Sequence, residues 1–358
     1  MATKTKSKHI FYFDALRALA ILCVVLLHAK GFMTQFVTYT PEVFFTPIGF
    51  WELFSHNPVR IGVDLFLMLS GALSLGRDWE IKDFLGKRLP RIIKPFVFWC
   101  VVGSSTLIAA TYFIPQLEFI SSFTLESILG TVYNTFLFKT PCFSPYWFFW
   151  MILGTYLIMP IFNKWLLHSD LKEVEYFLII WVISTIFDYT LMKSCPVNLS
   201  YFTSPIGVVV LGYYLRHTKR RIFNNKYIAI AMILIPMIIM VAYSYHVLDS
   251  EMFFKFNRYS ILMIIEVTGV FCLFKCSNYL KNPNIYLKKF VGKIAKCSYG
   301  MYLTHAILIF FVGKLIPFNI FQHTGTYLII LAIAFFGSLT LINTLGKIPI
   351  IQDFVGVK

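Results

Sequence analysis

Three ionisable residues stand in the first long apolar run of the chain, FDALRALAILCVVLLHA from Phe13 to Ala29: Asp14, Arg17 and His28. Ionisable groups in hydrocarbon are costly, and by default they are functional, facing a protein interior or a water-filled cavity. Spacing narrows the chemistry. Arg17 and His28 are eleven residues apart, which at about 100° per residue is roughly three helical turns plus about 20°. Both side chains therefore project from one face of one helix, ~16 Å apart along its axis. The arginine is a permanent cation suited to an anionic ligand. The imidazole titrates near neutrality and suits proton transfer.

Further candidates follow along the chain. Asp64, in GVDLFLMLSGAL, is expected near the outer end of the second span, where it either orients His28, as a carboxylate orients an imidazole, or pairs with Arg60 or caps its own helix. Lys87, Arg88, Arg91 and Lys94 cluster in FLGKRLPRIIKPF, with Pro90 and Pro95 expected to break the helix there. They read either as a topology-setting segment that touches lipid phosphate or as a cradle for an anionic cytosolic cofactor such as coenzyme A. Glu266 sits mid-span with no opposite charge on its own helix, so it needs a partner from another helix, with Arg17 one candidate, or a proton. Tyr302 and His305 in SYGMYLTHA are three apart, hence on one face. They read as pocket lining or as hydrogen-bonded structure. Trp147 opens the aromatic YWFFWMILGTYLIMPIF and is a further pocket candidate.

The elements that must position these residues are membrane helices. Hydrophobic residues make up 58% and charged residues 14% of the 358, whereas a soluble domain carries about a quarter charged residues. Spans are expected near 10–32, 58–77, 92–114, 147–167, 175–193, 200–216, 226–247, 258–280, 296–316 and 326–346. The fold class is thus an all-α integral membrane protein of about ten transmembrane helices, one membrane domain over 1–358 with no separate soluble domain. If both termini are cytoplasmic, the inner segments hold 24 of the 32 Lys and Arg residues and the outer segments seven, the positive-inside asymmetry. The net charge of +15 is then topology, not a nucleic-acid footprint. The first span is expected to stay as a signal anchor, since no small-x-small cleavage site follows it. The aromatic outer segment 30–57 reads as an interfacial belt or a sugar-stacking platform. Most of the seven cysteines fall in spans as small hydrophobes. Cys142 and Cys195 fall in outer loops where a disulfide is permitted. No zinc-type spacing occurs, and no metal is expected. Internal repeats, phosphate-binding glycine loops, GxSxG and HExxH are absent.

Four stretches, FDALRALAILCVVLLHA with its Arg-x10-His, GVDLFLMLSGAL, FLGKRLPRIIKPF and SYGMYLTHA, occur in order across nearly the full length. In these the chain resembles the membrane acyltransferase-3 family, multi-span bacterial enzymes that O-acylate cell-surface glycans, in the branch consisting of the membrane domain alone. The resemblance implies that Arg17 and His28 are the functional pair and that the donor is acyl-CoA, most often acetyl-CoA. It also implies a sugar hydroxyl of a surface polysaccharide or lipid-linked glycan as acceptor, and the bacterial cytoplasmic membrane as location. One departure is visible: where the branch often carries a His before the Trp of the fourth span, this chain has Pro145 and Tyr146. The mechanism expected is coenzyme A docked on Lys87, Arg88, Arg91 and Lys94 with Arg17 deeper in, His28 as general base, and Asp64 orienting it. A covalent acyl-His28 route competes with it. The rivals are a transporter or flippase for a polyprenyl-linked sugar or anion, and a receptor-like protein whose polar residues are only interhelical glue. Oligomeric state is open.

Overall fold

The computed structural model describes residues 10–33, 57–115, 120–193, 197–202, 204–246, 256–315 and 324–357. Among these the regular structure is entirely helical. The α-helices are α1 (Phe11–Met33), α2 (Gly62–Ser74), α3 (Ile81–Phe113), α4 (Leu125–Phe136), α5 (Trp147–His168), α6 (Leu171–Thr185), α7 (Pro205–His217), α8 (Lys226–His246), α9 (Ile261–Cys276), α10 (Ile285–Leu315), α11 (Thr324–Ala332) and α12 (Ser338–Leu345), with a one-turn helix at Asn278–Lys281. A π-helical turn extends α6 to Leu191, and another joins α11 to α12.

Every expected span coincides with a helix, but the helices differ in reach. Seven stretches among the described residues are long and apolar enough to cross a membrane. The other three expected spans hold α2 and α7 of 13 residues and α9 of 16. At 1.5 Å per residue these are only ~20–24 Å long, against a hydrocarbon core of ~30 Å.

The short helices lie inside the bundle. α7 is buried on all sides through Ile206–Leu211, the mark of a helix enclosed by others. α2 crosses α7 at two glycines: a Cβ on Gly71 would lie 1.8 Å from the Val209 carbonyl oxygen, and one on Gly212 would lie 2.1 Å from that of Met68. Backbones this close leave room for hydrogen only. α1 packs along α10, and its Leu16, Ala20, Ile21, Val25 and Ala29 are buried.

The prolines do not break their helices. α3 runs unbroken through Pro90 and Pro95, and α5 continues past Pro160 to His168. Pro90 deprives the Gly86 carbonyl of its helical partner, but both residues are exposed, so the freed oxygen is open to solvent. In α5 the buried Pro160 is held by the neighbouring helices.

Tyrosines bolt α10 to its neighbours. Tyr146 donates to the Leu303 carbonyl at 2.9 Å, Tyr299 to that of Ile92 at 2.8 Å, and Tyr302 to that of Pro145. Thus Pro145 and Tyr146, the positions at which the chain departs from the resembled pattern, supply interhelical hydrogen bonds. Residues 346–357 turn back over the end of the bundle that carries the basic loops. There the Val355 carbonyl accepts from Trp99 Nε1 at 3.3 Å, and Val355 itself is fully buried. Cys142 is buried; Cys195, like most of the aromatic segment 30–57, lies outside the described residues.

Candidate active site

α1 and α10 bring His28 and His305 together, 277 residues apart in sequence. Each imidazole turns its Nδ1 to the carbonyl one helical turn back: His28 to Val24 at 2.8 Å, His305 to Met301 at 3.1 Å. The two rings then meet, His305 Nε2 lying 3.0 Å from His28 Nδ1. Carbonyl oxygens only accept, so both Nδ1 atoms carry hydrogen. In the neutral pair His305 Nε2 is therefore a lone pair facing the His28 Nδ1–H. The remaining lone pair, on His28 Nε2, is the free base. His305 is wholly enclosed, whereas His28 keeps part of its surface accessible.

This corrects the expectation for Asp64. Its carboxylate makes no hydrogen bond to His28, does not cap α2, and forms no ion pair with Arg60, whose guanidinium instead donates to the Phe256 carbonyl. The group that holds His28 is His305, a residue that sequence could equally read as structural. His305 Nε2 stands 3.0 Å from His28 Nδ1, whereas neither Asp64 oxygen has a hydrogen-bond partner.

A pocket lies between α1, α2, α3, α5 and α10. Its polar lining includes Arg17, Ser70, Arg88, Tyr156, Ser298 and Tyr302. Tyr302 lies next to the histidines, its ring centroid 6.0 Å from that of His305. Arg17 keeps Asp14 as a partner at 3.4 Å. Arg17 thus pairs within its own helix and not with Glu266. Glu266 is buried away from this pocket, its charge acting with that of Asp64 and its Oε2 without a hydrogen-bond partner.

The four basic residues of α3 do not share one cradle. Arg88 turns inward, its guanidinium 6.0 Å from the Phe84 ring. Lys87, Arg91 and Lys94, at i, i+4 and i+7, line a separate cleft with Asp353, Gly356 and Val357. Lys87 also pairs with Asp83 at 3.1 Å. Helical periodicity explains the division: one step along the helix turns Arg88 by about 100° from Lys87.

Sequence reasoning missed Arg258. Its guanidinium stacks 4.3 Å over the Trp147 ring. The charge of Arg258 acts on His28, Asp64, Tyr259 and Tyr302. The available signal was a cation at the outer start of an apolar helix, a side on which the chain carries few. Among the described residues no group of three or more His, Cys, Asp and Glu is arranged to hold a metal.

A shielded imidazole beside a second imidazole, with a pocket lined by two guanidiniums and by Tyr302 next to His305, offers both a proton acceptor and a place for an anion. Acyl transfer from a charged carrier to a hydroxyl requires both. No curated protein and no solved structure matches the chain. A family model described as an acyltransferase domain matches residues 10–343, nearly the whole sequence. The chain belongs to the acyltransferase-3 family and is a membrane acyltransferase.

Proposed function

We propose that this protein is an acyl-CoA-dependent O-acyltransferase of the bacterial cytoplasmic membrane. In this reading it carries an acetyl group from cytosolic acetyl-CoA to a sugar hydroxyl of a surface polysaccharide or lipid-linked glycan. The observations that support the proposal are the paired imidazoles of His28 and His305, 3.0 Å apart, and a pocket lined by Arg17, Arg88 and Tyr302, the last with its ring centroid 6.0 Å from that of His305.

The basic end faces the cytosol. Coenzyme A approaches there, with its phosphates on Arg88 and Arg17 and with Lys87, Arg91 and Lys94 as the outer, more exposed cations. Its pantetheine arm follows the pocket, so that the thioester lies near Tyr302 and below the histidines. His28 Nε2 takes the proton of the acceptor hydroxyl as the oxygen attacks the thioester carbon. The C–O bond of the ester forms, the C–S bond breaks, and the proton passes to the leaving thiolate to give free coenzyme A. The positive charge that appears on His28 during attack is steadied through its Nδ1–H by His305 Nε2 and the Val24 carbonyl, the part an aspartate plays in a hydrolase triad. Neither residues nor waters beyond these are needed to balance the step.

The test is acyl transfer from radiolabelled acetyl-CoA in membranes holding wild-type protein, His28→Ala or Arg17→Ala. Label in the glycan fraction with wild type alone supports the proposal. Full transfer by both variants at normal expression refutes it.

A further inference from the structure

α3 is longer than one crossing requires. Its 33 residues extend ~50 Å, against a hydrocarbon core of ~30 Å. Measured back from Phe113, ~30 Å of helix ends near Lys94, so Lys87, Arg91 and Lys94 stand at headgroup depth. These exposed cations share one stripe of the helix, which runs on at helical spacing through Phe98 and Val101, with Val97 beside it. Val97 and Val101 are exposed as well. Within about two turns one face passes from cations to bare hydrocarbon side chains.

The facing wall is the segment 346–357. The Gly300 N–H donates to the Gly356 carbonyl at 3.3 Å. Gly356 takes a φ of +87°, and a Cβ there would lie 2.9 Å from the Gly300 nitrogen, so glycine alone permits this approach. Val355 is held by Trp99, which pins the wall to α3 as well as to α10. The cleft between segment and helix measures about 520 Å³, the size of a small-molecule site. Lys87, Arg91, Lys94 and Asp353 supply its charged lining. Lys87 is engaged with Asp83, but among the described residues neither Arg91 nor Lys94 has an ion-pair partner. Apolar surface adjoins these cations on both walls: the exposed Phe354 ring lies 5.6 Å from Lys94 Nζ and 6.5 Å from the Phe98 ring.

A soluble anion would engage the cations alone. A phospholipid engages both features, its phosphate accepting from arginine and lysine and its chains lying against valine and phenylalanine. With three cations to one carboxylate in the cleft, a headgroup that adds an ammonium is disfavoured. We propose that this cleft is a site for one anionic phospholipid, with its phosphate on Arg91 and Lys94 and its acyl chains along Val97, Phe98 and Val101. With the lipid in place, the phosphates of the donor rest on Arg88 and Arg17 in the separate pocket. The lipid site itself does not depend on the acyltransferase reading.

The test is native mass spectrometry of the full chain released from detergent micelles, titrated with three probes: dioleoyl phosphatidylglycerol, dioleoyl phosphatidylcholine and glycerol phosphate. The expected result is binding of phosphatidylglycerol about tenfold tighter than either of the others. Arg91→Gln and Lys94→Gln, at exposed positions that leave the fold intact, should each weaken it about fivefold, as one basic residue at a lipid surface does. Equal binding of the two lipids overturns the proposal. So does binding of glycerol phosphate as tight as that of phosphatidylglycerol, which would make the cleft a soluble-anion site. A preference unchanged in the folded double variant also overturns it, because the lipid then binds elsewhere. Displacement of phosphatidylglycerol by coenzyme A, abolished in that double variant, would assign the cleft to the donor instead.

Discussion

His305→Phe isolates what the second histidine does. His305 is fully buried, with the Tyr302 ring nearby, so a phenyl ring keeps most of its volume while removing the nitrogen that faces His28. The loss is one hydrogen bond to a group that becomes charged during reaction, worth ~1.5–3 kcal/mol. At 1.36 kcal/mol per decade, kcat should fall by roughly 10- to 150-fold. The donor KM should hold, because the pocket that holds Arg17 and Arg88 is not lined by His305. His28→Ala removes the base itself and should cost ~10²- to 10⁴-fold. Since His305 acts only through His28, the double variant should be no slower than His28→Ala alone. The assay is initial-rate acetyl transfer in proteoliposomes over a range of acetyl-CoA concentrations. A His305→Phe protein with wild-type kcat, or a double variant slower by the product of the two single effects, would refute the coupling of the rings.

Three other outcomes follow from the geometry. Gly71→Ala drives a methyl against the Val209 carbonyl oxygen and should destabilise by ~1–3 kcal/mol or more, whereas Gly86→Ala, with nothing within 4 Å, should stabilise by up to ~1 kcal/mol through helix propensity; detergent thermal melts compare them. Arg88→Gln, inside the pocket, should raise the acetyl-CoA KM by about tenfold, as loss of a charge-assisted bond does. Lys94→Gln, in the outer cleft, should change it by less than about threefold, as exposed charges do. Tyr146→Phe removes the 2.9 Å bond to Leu303 and should cost about 1 kcal/mol of stability with donor KM unaltered.

The helical membrane architecture and the shared face of Arg17 and His28 could be read before any coordinates, because apolar run length and helical spacing are local properties. The partnership of His28 with His305 could not, since nothing local distinguishes a histidine that will meet another 277 residues away. Asp64 was a reasonable orienter because both it and His28 were expected at the outer ends of consecutive spans, yet its carboxylate makes no hydrogen bond. The division of Arg88 from Lys87, Arg91 and Lys94 was present in the periodicity, although their adjacency in sequence suggested a single cluster. Arg258 stayed hidden because a lone cation beside a span is ordinarily topological. Pro90 and Pro95 misled for a related reason: proline rules describe helices in water, and here α3 runs unbroken through both.

The two thirteen-residue helices that cross at Gly71 and Gly212 have a consequence for their own ends. At ~20 Å each they fall short of a ~30 Å hydrocarbon core, so the polar backbone groups at their termini depend on the longer helices around them, and not on lipid, for enclosure.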